Sequence, residues 1–165
     1  MNKPVLSTYR ILMKKALDDF IDESWVDWAI EMMRAGFESD NLYMLAGILR
    51  PYDQIELQQL TDNVLKDLEL NFTDKETTIS NYACFIIKNS IASPDTYLQT
   101  LQELSDIYLN LDMASRYQDF YLLHWAKDDL IVSEHQWYWD GANRTNINDI
   151  IRKCFQEFLD EFEAN

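Results

Sequence analysis

Glycine and proline are scarce in this chain, with three of each in 165 residues. Sandwiches and barrels need tight turns at many places and draw on glycine to make them, so this count argues against an all-β fold. It also excludes a glycine-rich phosphate loop, because Gly36, Gly47 and Gly141 stand far apart. What fills the chain is apolar sequence at helical spacing, punctuated by helix-start residues roughly every 15–20 positions. Hydrophobic residues make up 47% and aromatics 13%, enough for a packed core despite a formal net charge of −15.

Ser7 or Thr8 opens a first helix that runs through Ile21. Asp22 caps a second, with Trp25, Trp28, Ala29 and Met32 on one face and Gly36 near its end. Ser39 or Asp40 caps a third from Leu42 to Leu49, stopped by Pro51. Asp53 starts a fourth, whose Leu57, Leu60, Val64 and Leu68 form a buried stripe. Thr73 begins a fifth that runs through Tyr82, Phe85 and Ile86. Ser93-Pro94-Asp95 joins an N-cap, a first-turn proline and an acid. It leads into a sixth helix that aligns Tyr97, Leu101, Leu104 and Tyr108. The seventh, Tyr117 to Ile131, is apolar nearly all round, as a central helix is. The eighth starts at Thr145 or Asn146 and buries Ile147, Ile150, Ile151, Cys154, Phe155, Phe158 and Phe162. Only Gln136-Trp137-Tyr138-Trp139 suggests extended chain. No linker divides the sequence, so the expectation is all-α: a single helical domain over 1–165, with about seven to eight helices in antiparallel hairpins. Helix pairs recur at about 40 residues, which leaves a HEAT-like stack open, although no internal repeat is visible.

Catalytic chemistry finds little to work with. The two histidines, His124 and His135, are not on one helical turn, and neither His-Glu-x-x-His nor Cys-x-x-Cys occurs. His124, inside an apolar run, reads as a core histidine bonded to a backbone or carboxylate partner, and His135 as a solvated loop residue. Cys84 and Cys154 lie in apolar stretches and read as small buried hydrophobes; no base flanks Cys84 to activate it. Asp18-Asp19, Asp128-Asp129 and Asp160-Glu161 could serve acid–base work, but among 29 acids such pairs are expected on solvated faces. The chain is therefore expected not to be an enzyme and to need no metal or cofactor, with a small carboxylate hydrolase as the exception kept open. The start, Met1-Asn2-Lys3-Pro4, lacks the apolar core of a signal peptide, and no run reaches membrane-spanning length. Cytoplasmic location follows as the expectation.

Surface character carries more information. Fourteen basic against 29 acidic residues disfavour direct binding to nucleic acid or an anionic membrane and favour a cationic partner. Asp128, Asp129, Glu134, Trp137, Tyr138, Trp139 and Asp140 interleave acids with large aromatics, the residue types that anchor interfaces. The alternative for the aromatics is a lid folded over the last helix. Glu157, Asp160 and Glu161 form a second acidic cluster near a helix carboxyl end, where acids oppose the macrodipole; it reads either as a further surface for a basic partner or as a frayed, solvated tail.

Three stretches resemble segments of bacterial immunity proteins from polymorphic and contact-dependent growth-inhibition toxin systems. They are Trp25-Val26-Asp27-Trp28-Ala29, Leu45-Ala46-Gly47-Ile48-Leu49 and the run from Asp119 through Leu130, together about an eighth of the chain. The class has many folds and no shared motif, so no residue role is carried over. The resemblance implies that the chain binds a cognate, basic, nuclease-type protein toxin one-to-one in the cytoplasm and blocks its active site. A DNA-mimic anti-restriction protein and a helical adaptor or regulatory subunit are the rival readings. Mimicry wants acids spaced evenly like phosphates, whereas the net charge is −2 over residues 1–50, −7 over 51–110 and −6 over 111–165.

Overall fold

A computed structural model describes residues 2–70 and 74–164. The described chain is all-helical and contains no strand: α1 (Thr8–Ala16), α2 (Glu23–Arg34), α3 (Asp40–Ala46), α4 (Gln54–Asp67), α5 (Lys75–Ser90), α6 (Tyr97–Asn110), α7 (Gln118–Val132) and α8 (Ile147–Ala164). Among these helices none is long and apolar enough to cross a membrane. The chain divides into two compact units, Met1–Tyr82 and Ala83–Asn165, with the boundary inside α5.

Helix starts in the first unit follow the local chemistry. The side chains of Asp22, Ser39 and Asp53 accept hydrogen bonds from the first free backbone N–H groups of α2, α3 and α4. The core collects the apolar faces of these helices, with Trp25, Trp28, Ala29, Met32, Leu42, Leu45 and Val64 all at most 1% exposed. Trp25 and Trp28 meet edge to face, and the Trp28 indole N–H donates to the Thr8 hydroxyl at 2.9 Å. Lys15 is buried with them, its ammonium 2.8 Å from Asp62.

Several expected boundaries move. The first helix stops at Ala16, not Ile21, because Asp18 takes a left-handed conformation (φ 55°) and two reversed hydrogen bonds close the end. The third spans Asp40–Ala46, and Leu68 falls past the end of α4 and is half-buried. Thr73, the expected start of the fifth helix, lies outside the described residues; the Asp74 carboxylate accepts from the Thr77 N–H there.

In the second unit, Ser93 makes no side-chain cap. Pro94–Thr96 forms a 3-10 turn before α6, and the Thr96 hydroxyl donates back to the Ser93 carbonyl at 2.7 Å. Ring contacts build the core: Tyr97 and Phe120 pack on Phe155, while Phe120 and Tyr117 pack on Phe158, with centroids 5.3–5.9 Å apart. These rings place α8 against α6 and α7. Ile150, Cys154 and Phe162, expected in the core, are only half-buried.

Candidate functional site

The α7 helix buries Phe120, Leu123, His124, Ala126 and Leu130. Trp125, Asp128, Asp129 and Val132 follow one another at steps of three, one and three, so they share the opposite, outward face. Val132 is 85% exposed and Trp125 37%. Residues 133–146 then form a loop between α7 and α8 that comes back over this face.

One amide organises the loop. The Gln136 side-chain oxygen accepts from the backbone N–H groups of Tyr138 (2.9 Å) and Trp139 (2.8 Å), and its nitrogen donates to the carbonyls of Trp139 and Ala142. A second pair of amides braces the exit. Asn143 Oδ1 accepts from the N–H groups of Thr145 and Asn146, while Asn146 Oδ1 accepts from the Asn143 N–H and Asn146 Nδ2 donates to the Gly141 carbonyl. Gly141 sits at φ 80°, where a side chain would be strained. Arg144 Nε donates to the Leu130 carbonyl at 2.8 Å, tying the returning arm of the loop to the last turn of α7. Residues 133–146 are thus extensively cross-braced.

The bracing fixes what the aromatics do. Tyr138 leans on Trp125, ring centroids 6.4 Å apart, and Trp125 in turn meets His124 edge to face at 5.0 Å. Trp139 is half-buried. Trp137, between them, is 90% exposed. A lid accounts for Trp139 at most; Trp137 covers nothing. Glu134 and Asp140 are exposed, Asp128 and Asp129 half-buried, and none of the four forms an ion pair with another described residue.

Glu157, Asp160 and Glu161 are exposed on α8 but lie elsewhere. At about 1.5 Å per residue they sit roughly 15–21 Å along the helix from its start at the loop. Glu157 and Glu161 line a separate cavity of about 120 Å³ with Arg116, Asp119 and Cys154, at the opposite end of α7. Glu157 also faces Lys153 at 3.9 Å, and Asp160 accepts from Gln156. The structure therefore divides the expected acidic surface into a loop cluster with no ion pair and a helix cluster partly neutralised within the chain.

The thiols offer no nucleophile at neutral pH, since burial pushes both Cys84 and Cys154 up to about 11. His124 is buried as expected, yet its Nδ1 has no hydrogen-bond partner among the described residues, contrary to the bonded histidine the sequence suggests. Burial lowers its pKa, against the opposing pull of Asp128 and Asp106. His135 is exposed. Among the described residues no group of three or more His, Cys, Asp or Glu is placed to hold a metal ion.

Sequence reasoning missed Trp125, Val132 and Gln136. The first two were hidden because α7 is apolar on every side, so its pattern names no outward face. Gln136 gave no signal, because glutamine lacks the recognised turn habit of asparagine and aspartate. No family model matches this chain, and neither a curated protein nor a solved structure matches it.

Proposed function

We propose that this chain is an immunity protein, binding and neutralising a cognate basic, nuclease-type bacterial toxin in the cytoplasm through the Trp137 loop and the outer face of α7. The observation that carries this reading is a tryptophan held 90% exposed on a loop pinned by Gln136, with Glu134 and Asp140 exposed beside it and no internal cation pairing them. Exposing an indole has no benefit for folding, while a loop whose backbone is already braced around Trp137 loses little further backbone entropy on binding. Asp128, Asp129, Glu134 and Asp140 would steer toward and pair with toxin Lys and Arg, Trp137 and Tyr138 would supply desolvated anchor area, and Trp139 would support them from behind. Glu157, Asp160 and Glu161 would act as long-range steering charge.

A nuclease holds phosphates in a basic cleft, and an acidic inhibitor can occupy that cleft with the same charge pattern. The reading is tested by capture from the source organism's lysate at about 50 and about 200 mM salt, followed by a nuclease assay on the recovered complex. One basic protein near one-to-one, weakened by salt and inactive while bound, supports it. A DNA-processing enzyme encoded elsewhere would point to DNA mimicry instead, and a partner of no particular charge to an adaptor.

A further inference from the structure

The first unit carries an apolar groove that the proposed toxin surface does not use. It lies between α3 and α4, encloses about 510 Å³, and reaches down to the core residues Leu57 and Leu60. Its rims are Met44, 61% exposed, and Ile55, 86% exposed, with Ile48 along the wall. Such side chains at the surface are usually turned inward or replaced, so a built groove flanked by two of them marks a contact surface. Asn41 donates to Asp67 at 2.8 Å, fastening the start of α3 to the end of α4 and bounding the groove at that end.

The geometry points to a cationic amphipathic helix from another protein as the occupant. The α4 lining runs from Ile55 to Asn63, which at about 1.5 Å per residue gives a trough about 12 Å long, matching two to three helical turns. Apolar anchors spaced i, i+3, i+4 and i+7 suit a floor of leucines with a methionine rim, because methionine adapts to irregular partners. Charge selects the sign. Glu56 lines the groove, Asp40 and Asp67 stand beyond its lining at the one end where Asn41 joins the helices, and no Lys or Arg lines it; Lys66, beside Asp67, is the one base on these two helices. An acidic amphipathic helix would meet like charge here, and a cationic one would meet its complement.

This inference rests on the first unit alone and survives or fails independently of the toxin reading. The probe is a fluorescein-labelled leucine–lysine peptide with leucines at that helical spacing, set against its leucine–glutamate isomer and measured by fluorescence anisotropy. The leucine–lysine peptide is expected to bind. The charge-neutral pair Met44→Gln and Ile55→Gln should weaken it at least tenfold, and Glu56→Gln should weaken it severalfold. Leu109→Gln, in the second unit, should leave it unchanged. Both groove changes replace exposed side chains, and circular dichroism verifies that the variants fold; Glu56→Gln, on an exposed rim, gives a separate reading. Equal binding of the two peptides, or lysine-peptide binding indifferent to Met44 and Ile55, would overturn the proposal. So would concentration-dependent self-association of the protein that Ile55→Gln abolishes, since a second copy would then be the occupant.

Discussion

Lys15 is 7% exposed and satisfies its charge completely: Asp62 at 2.8 Å, the Gln58 side chain at 2.8 Å, the Thr61 hydroxyl at 2.9 Å and the Gln58 carbonyl at 3.2 Å. Its stem fills space beside Trp25, whose ring lies 5.8 Å from the ammonium. The contribution should therefore be as much packing as charge. Lys15→Ala is expected to cost about 2–3 kcal/mol in urea unfolding and Lys15→Met about half of that. Equal losses for the two would show that packing of the stem contributes nothing. At His124, burial holds the pKa below its ordinary 6.5, so the unfolded chain binds the proton more readily than the folded one. This contribution to stability is intact above pH 6.5 and lost as the pH falls through and below it. The wild type should thus lose stability relative to His124→Leu between about pH 7.5 and about pH 5.5, read from urea midpoints at each pH. An unchanged difference would mean that the histidine charges freely in the folded state.

Among elements, helix ends rather than helix starts carry the surprises. Four helices, α1, α2, α4 and α6, close with the same reversed hydrogen bond from two residues past the cap back to the third-last helical carbonyl. Only α2 places glycine, Gly36, at the left-handed position; α1, α4 and α6 place Asp18, Glu69 and Asp112 there at φ 52–55°. Starts were legible where a cap is a local side-chain bond, as at Asp22, Ser39 and Asp53, but not at Ser93, whose side chain caps nothing. The ends of α1, α4 and α6 were not legible, because the glycine that would announce them is absent and the closing bond is made by backbone. Glu69 is exposed, so Glu69→Gly should relieve its left-handed strain and stabilise the chain by about 0.5–1 kcal/mol in urea unfolding, with no gain from Glu69→Ala. The loop is the converse case. Its aromatics and acids were visible in the sequence, but their exposure depends on Gln136, whose bonds no pattern foretells. Gln136→Ala should speed hydrogen exchange at the Tyr138 and Trp139 amides about tenfold or more while leaving helix content unchanged. Unaltered exchange would show that the loop is held by something else.

At the scale of the whole molecule the two units carry nearly equal net charge, 8 basic against 15 acidic residues in 1–82 and 6 against 14 in 83–165, although within the first unit most of it falls after residue 50. Net charge of this size acts at long range on any basic partner, and explains approach better than it explains specificity. The all-helical class was legible from glycine scarcity and three-four spacing, because both act within a few residues of chain. The placing of Glu157 and Glu161 beside Arg116 and Asp119 was not, because it depends on how α8 lies along α7. Steering predicts that association with the partner slows steeply between about 50 and about 200 mM salt while dissociation changes little. The proposed function assigns specificity to Trp137. The most direct test is the dissociation constant of the captured basic partner for the wild type and for Trp137→Ala, with thermal unfolding recorded alongside. Loss of a central aromatic anchor should weaken binding by about 30-fold or more, mostly through faster dissociation, with the melting temperature unchanged. Equal affinity for the two proteins would contradict the account and move the binding surface away from the loop.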